Sequence, residues 1–182
     1  MPQPNQTPPP GLLIRPLLPR DPKDFEAAFA AIGWHKPASQ YQRYLQEQSR
    51  DERLVFVATG SDGAFRGYTT LMWVSDYEPF KERRIPEIKD LNVLPHFRQR
   101  GVGTALIQAA ERAAHQRHHT IGIGVGLTSD YGAAQRLYVR LNYIPDGRGI
   151  AYQGKPLTHG DQTTVDDDLV LYFTKKLGGA SQ

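Results

Sequence analysis

Two glycines and two arginines stand where a predicted strand meets a predicted helix. Arg98, Arg100, Gly101 and Gly103 follow the strand predicted over residues 85–94. The first turn of a helix carries N–H groups without intrahelical partners, and the helix dipole adds partial positive charge there. Glycines at this point let a phosphate approach the backbone closely, and the arginines add charge-assisted donors. We therefore expect this turn to bind a pyrophosphate.

The residues after the glycines disfavour two common phosphate ligands. A Walker A loop needs Lys and then Ser or Thr after its last glycine, but Gly103 is followed by Thr104 and Ala105. A Rossmann fingerprint needs a third glycine where Leu106 stands. ATP and NAD are therefore disfavoured. On these residues alone, a tight strand-to-helix turn without a ligand is an open alternative.

The glycine turn resembles a motif of the GNAT N-acetyltransferase superfamily. Arg98-x-x-Gly101-x-Gly103 is similar to the family's Arg/Gln-x-x-Gly-x-Gly/Ala motif, in which backbone amides hold the pyrophosphate of acetyl-CoA. A Leu91-x-Val93-x-Pro95 strand end precedes it, as in the family. The resemblance therefore implies acetyl-CoA as the cosubstrate.

A second segment, residues 131–143, is similar to the family's Asn-x-x-Ala-x-x-Leu-Tyr-x-Lys-x-Gly-Phe pattern. Two positions depart from that pattern. Tyr131 replaces the usual Asn, which often bonds the pantetheine arm, so this contact is in doubt. Asn142 replaces the usual Gly, but Asn tolerates a left-handed helix end better than most residues. Two motifs in the family's order make the resemblance specific.

The resemblance implies an N-acetyltransferase that moves acetyl from acetyl-CoA to a primary amine by direct attack in a ternary complex. It assigns proton donation to the CoA thiolate to Tyr138, and the general base to Glu87, directly or through water. Without it, Tyr138 reads as part of an apolar helix face, and Glu87 as an exposed strand residue. Asp90 is the substitute base, on the opposite face of an ideal strand. The residues that the resemblance assigns to the cosubstrate are Leu91, Asn92, Val93, Arg98, Gln99, Arg100, Gly101, Val102, Gly103 and Thr104.

The elements that must position these residues alternate between period 2 and period 3.6. Helices are predicted over residues 21–31, with Asp21 as N-cap, and over 38–49, 101–117 and 131–141. Strands are predicted from Leu12, over 54–58, 65–74, 85–94 and 120–127, near Ile150 and over 169–173, with a polar loop before residue 84. This order predicts a mixed α/β fold, and the resemblance specifies a GNAT-like acyl-CoA N-acyltransferase fold with a central, mostly antiparallel sheet flanked by helices. Residues 11–177 read as one domain between core-poor tails at 1–10 and 178–182.

Three further features of the sequence either leave alternatives open or have a simple structural explanation. The glycines that alternate with aliphatic residues over 120–128 share one strand face, which allows close packing or a ligand. The three histidines of residues 115–119 lack a carboxylate, so we expect a solvated helix end and no metal. By resemblance, Trp34 and His35 fall where the family contacts its acceptor.

Composition sets outer limits on function. The chain has 182 residues, no cysteine and a formal net charge of +3. Disulfides, thiolate nucleophiles and Cys-ligated metals are excluded. The dispersed charge and the absence of a long apolar run lead us to expect a cytoplasmic protein with no nucleic-acid or membrane partner. The expected acceptor is a small-molecule or peptide amine, and homodimers are common in the family. A non-catalytic acyl-CoA-binding module and a nucleic-acid-associated protein are the alternatives.

Overall fold

The computed structural model describes residues 9–178, so the predicted tails fall mostly outside the described residues. Contacts divide the chain into two compact units. The first comprises the residues up to Leu71 together with Asp90–Ala110, and the second comprises Met72–Lys89 and the residues from Glu111 onward. A single domain over residues 11–177 stays a prediction.

The strands of the first unit follow the order β1-β2-β3-β4. β1 runs antiparallel to β2, with Leu12 opposite Gly60. The elements that contribute to this unit are β1 (Leu12–Pro16), α1 (Asp21–Ala30), α2 (Ala38–Ser49), β2 (Arg53–Gly60), β3 (Phe65–Met72), β4 (Glu87–Val93) and α4 (Val102–His115).

Alternation along β2 builds a core on each side of the first unit's strands. Val55 and Val57 belong to a buried cluster that includes Phe25 of α1. Ala58, the residue after Val57, belongs to another cluster with Leu106 of α4. Because side chains alternate between the faces of a strand, α1 and α2 cover one face and α4 covers the other. The glycine turn is thereby fixed at the start of a well-packed helix.

The start of α1 differs from the prediction. Asp21 is the first helical residue and not the N-cap, because Arg20 occupies the cap position without a side-chain cap bond. The Asp21 carboxylate instead accepts the Leu18 backbone N–H at 2.7 Å and both terminal nitrogens of Arg15 at 2.6 and 2.8 Å. An acid in the first turn still complements the helix dipole.

In the second unit, the start of β4 runs parallel to β5, with Glu87 opposite Gly122. The strand order continues from β4 through β5, β8 and β6 to β7, and these later pairs are antiparallel. The further elements of this unit are α3 (Glu78–Glu82), β5 (Thr120–Gly126), α5 (Gly132–Arg140), β6 (Ile144–Tyr152), β7 (Lys155–Pro156) and β8 (Leu169–Lys176). Mostly antiparallel strands with flanking helices confirm the predicted mixed α/β class.

The prediction of a polar loop before residue 84 is wrong in part. α3 forms there, and Tyr77 and Phe80 are fully buried in a cluster with Tyr172. The Phe80 ring explains one of the strand glycines, because a Cβ on Gly122 would overlap it. Close packing therefore accounts for the bare backbone at this point. Among the described residues, no helix is both long and apolar enough to cross a bilayer.

Candidate active site

The glycine turn lies directly before the first residue of α4. Gln99 and Gly101 both adopt left-handed conformations, with φ of +58° and +78°. α4 then begins, and its first α-helical bond here runs from the Ala105 N–H to the Gly101 carbonyl at 3.0 Å. The N–H groups of residues 102–104 precede that bond, so they have no acceptor within the helix. They form the donor set that an anion at this helix end would meet.

Two arginines bring positive charge to the turn. The Arg98 Nε donates to the Val93 carbonyl at 3.1 Å, and its guanidinium carbon lies 5.4 Å from the centre of the Trp34 ring. These contacts orient Arg98 while its side chain stays exposed. Arg100 is also exposed. The structure thus brings Arg98, Val93 and Trp34 together within the first unit.

β4 is irregular at Asp90, directly before the residues 91–93 that were predicted to contact acetyl-CoA. Asp90 has a φ of +54°, in the left-handed region that non-glycine residues rarely adopt. The Asn92 side-chain amide donates to the Asp90 carbonyl at 3.0 Å. β3 approaches closely at Gly67, where a Cβ would overlap the Asn92 carbonyl oxygen. Residues 91–93 are half-buried and follow directly on this distortion.

Asp90 is also the acceptor of a buried tyrosine. The Tyr44 hydroxyl of α2 donates to the Asp90 carboxylate, and the Gln40 amide donates to the Tyr44 oxygen at 3.0 Å. Burial, with Asp90 as the next cause, raises the pKa of Tyr44, so this hydroxyl stays protonated and holds the carboxylate in place. Asp90 itself is half-buried. The prediction that Asp90 lies on the opposite strand face from Glu87 assumed regular strand geometry. The left-handed backbone of Asp90 departs from that geometry.

Glu87 lies at the start of β4 in the second unit and is 3% exposed. The Ser75 hydroxyl donates to its carboxylate, and the Tyr77 backbone N–H donates to the Ser75 oxygen at 3.0 Å. A buried carboxylate requires such donors, because its charge loses the solvation of water. The alternative interpretation of the sequence, in which Glu87 has no catalytic role and is an exposed strand residue, is therefore wrong about its exposure.

Tyr138 lies on α5 and is 4% exposed. Its ring centre is 6.2 Å from that of Tyr143. Burial, with a smaller contribution from Tyr131, raises the pKa of Tyr138 above its ordinary value, so the hydroxyl is protonated at neutral pH. A protonated hydroxyl on a packed helix is able to donate a hydrogen bond.

Tyr131, which stands in place of the family's Asn, packs against the glycine-rich strand. A Cβ on Gly126 would lie 2.6 Å from its ring. The Tyr131 hydroxyl donates to the Asp167 carboxylate at 2.8 Å. The aromatic ring thus occupies space that glycine leaves on β5, which supplies a packing reason for this departure.

Tyr44 and Ser75, the donors to Asp90 and Glu87, were not predicted from the sequence. Helical periodicity places Tyr44 toward the core, but it carries no information about a carboxylate on a distant strand. Ser75 falls in the segment predicted as a polar loop. Among residues 9–178, no group of three potential metal ligands is assembled; of the three histidines, His118 stacks on the Trp73 ring with centroids 5.9 Å apart.

Comparison with known proteins identifies a relationship over much of the chain. The sequence profile of the acetyltransferase (GNAT) family matches residues 21–143. A search of curated proteins found no match.

Solved structures share the fold at low identity. The ribosomal-protein-alanine N-acetyltransferase of Brucella melitensis is 20% identical, with 91% of this chain and 99% of that chain covered and a TM-score of 0.66. The yncA protein of Salmonella typhimurium, solved with its cofactor acetyl-CoA, is 16% identical, with 94% and 97% covered and a TM-score of 0.66. The spermidine/spermine N-acetyltransferase of Vibrio cholerae, solved with manganese ions, is 15% identical, with 91% and 92% covered and a TM-score of 0.62.

Proposed function

Because the chain belongs to the GNAT acetyltransferase family, we propose that it transfers an acetyl group from acetyl-CoA to a primary amine by direct attack in a ternary complex. The observation that carries the proposal is the glycine turn, where Gly101 opens α4 in a left-handed conformation beside two exposed arginines. The structural neighbours include enzymes named for ribosomal-protein alanine and for spermidine or spermine. A peptide or small-molecule amine is therefore the acceptor class that we propose.

The turn fits the pyrophosphate of acetyl-CoA in charge and in backbone. The N–H groups of residues 102–104 point toward the N-terminal end of α4, as in any helix, and the left-handed Gln99 and Gly101 turn the chain just before it. Arg98 and Arg100 supply positive charge that two phosphate groups require.

Acetyl-CoA supplies an acetyl group activated as a thioester. We propose that backbone N–H groups of residues 91–93 donate to the acetyl oxygen, where negative charge develops as the amine attacks. The left-handed Asp90 interrupts the regular geometry of β4 directly before these residues, which favours free amides at this point. Fixed backbone donors need no reorganisation during the reaction.

Tyr138 is the proposed donor to the departing sulfur. Its ordinary pKa is about 10 and that of a thiol about 8.5, so complete proton transfer to a thiolate costs more than about 2 kcal/mol once burial raises the Tyr138 pKa. We therefore assign Tyr138 a hydrogen bond that strengthens as the C–S bond breaks, with proton transfer completing the departure. The amine loses its own proton to the base.

Glu87 is the proposed base, and its burial favours a water relay over direct contact with the amine. Asp90 is the alternative base. Its carboxylate is half-buried, is held by the Tyr44 hydroxyl and belongs to the same strand as Glu87. Either carboxylate would act by accepting one proton from the attacking amine.

The experiment is a screen of amines with acetyl-CoA, read by release of the CoA thiol. Because the chain contains no cysteine, a thiol reagent can stay in the assay without modifying the protein. Spermidine, peptides with a free N-terminal alanine and lysine peptides form the first panel. We expect turnover with at least one amine, acetylated product by mass spectrometry, and a kcat that falls about 100-fold in Tyr138→Phe.

Tyr143→Phe is the matched control, since it removes a hydroxyl from the neighbouring buried ring and should leave kcat within about twofold. Acetyl-CoA binding without turnover on any amine would favour the acyl-CoA-binding module instead. Equal losses in both variants would remove Tyr138 from the proposed chemistry.

A further inference from the structure

A cavity of about 470 Å³ lies within the second unit, among α5, the end of β5 and β8. Small-molecule sites occupy roughly 300–1,000 Å³. The floor includes the buried side chains of Val125 and Phe173. None of the residues that we assign to acetyl transfer lines it.

The rim of this cavity exposes apolar surface that folding leaves uncovered. Val139 is 58% exposed and Leu127 is 36% exposed. Leu171 of the lining pairs with Ile150 across the strands, so Ile150 lies on the same face and is itself 39% exposed. Contiguous exposed apolar surface beside a concave site is typical of ligand sites.

The polar lining is positively charged. Arg136 and Arg140 are one helical turn apart on the exposed surface of α5, and no carboxylate belongs to the described lining. Like charges at this spacing repel one another, and an anion between them would relieve that repulsion. The third polar residue, Gln135, already donates to the Gly126 carbonyl at 2.9 Å, so its amide is fixed by the backbone.

We propose that this cavity binds a small carboxylate with an apolar body, one molecule per chain. The carboxylate pairs with Arg136 and Arg140, which can donate in the bidentate geometry that carboxylates favour. The hydrocarbon lies on Val125 and Phe173 and covers the exposed Val139. No residue of the glycine turn lines this cavity, and the proposal does not depend on acetyl transfer.

The experiment is a calorimetric titration of the full-length chain with octanoate, octylamine and octanol, which share an alkyl chain and differ in charge. We expect octanoate to bind at one site, octanol at least tenfold more weakly, and octylamine not at all. Decanoate should bind about tenfold more tightly than octanoate, because two more methylene groups are buried. Methyl resonances of Val125, Leu127, Val139 and Leu171 should shift together on titration.

Two variants locate the site. Arg140→Gln should weaken octanoate binding about tenfold, whereas Arg112→Gln, an exposed arginine in the last turn of α4, should leave it unchanged. Val139→Asp places a negative charge at the exposed rim and should abolish binding without unfolding the chain. Equal affinity in Arg140→Gln, equal binding of octylamine, or no binding of octanoate would overturn the proposal. A dimer in sedimentation equilibrium that Val139→Asp dissociates would also overturn it, by assigning this face to a second copy of the chain.

Discussion

Gly101 and Gly63 share a backbone conformation, and this allows the effect of a ligand site to be separated from the effect of strain. Their φ values are +78° and +77°. An alanine in this region costs about 1–2 kcal/mol of folding free energy at either position. A Cβ at Gly101 would also lie 2.9 Å from the Pro9 side chain, whereas nothing lies within 4 Å of one at Gly63. We expect both Gly→Ala variants to lose similar stability, with the Gly101 loss slightly larger.

The two positions should differ in acetyl-CoA affinity. Gly101→Glu places a negative charge at the proposed pyrophosphate site, where two unit charges 4 Å apart repel by about 1 kcal/mol in bulk water and about 4 kcal/mol near a protein surface. The corresponding loss of affinity lies between about fivefold and about 1,000-fold. Gly63→Glu has the same strain and the same charge in a hairpin turn, so its affinity should match the wild type.

Urea denaturation would measure the free energies of unfolding, and calorimetry would measure acetyl-CoA affinity for all four variants. We expect all four proteins to be destabilised and only the two Gly101 variants to bind acetyl-CoA more weakly. If the Gly63 variants lose as much affinity as the Gly101 variants, the effect comes from general destabilisation. If Gly101→Glu binds like the wild type, the turn does not hold the pyrophosphate.

Four further variants test other parts of the structure. Gly122→Ala should lower the free energy of unfolding by about 1–3 kcal/mol in urea, because its Cβ would overlap the buried Phe80 ring, and an unchanged midpoint would refute that packing. Burial, with Arg117 as the next cause, lowers the pKa of His118, so the folded chain binds that proton less tightly than the unfolded chain does. The contribution of neutral His118 to the free energy of unfolding should therefore be fully present above about pH 6.5, the ordinary pKa of histidine in an unfolded chain, and should fall as the pH drops below that value. In denaturation curves measured against pH, His118→Gln should reduce this dependence. Glu87→Gln should lower kcat/KM by about 100-fold or more, whereas a larger effect of Asp90→Asn would transfer the role of base to Asp90.

Strong local periodicity made several elements predictable. The helix predicted over residues 38–49 agrees with α2, since its start follows a proline and its apolar residues recur at helical spacing. The glycine turn and both motif segments also fall where the sequence places them. The segment around Phe80 was missed because it forms a single helical turn, whose few residues cannot establish a period.

Contacts between distant residues were not predictable from one sequence. The bond from Tyr44 to Asp90 joins a helix to a strand, and neither position carries a local signal for the other. The left-handed backbone of Asp90 lies inside β4, where an uninterrupted strand was predicted from the sequence. The cavity beside α5 depends in the same way on which strand faces lie next to Val139.

A calorimetric titration of the wild-type chain with acetyl-CoA, alongside ATP and NAD, tests the central claim most directly. Acetyl transfer by a GNAT family member predicts saturable binding of acetyl-CoA at one site per chain, with ATP and NAD much weaker. Binding of ATP or NAD as tight as that of acetyl-CoA, or no binding of acetyl-CoA, would contradict it.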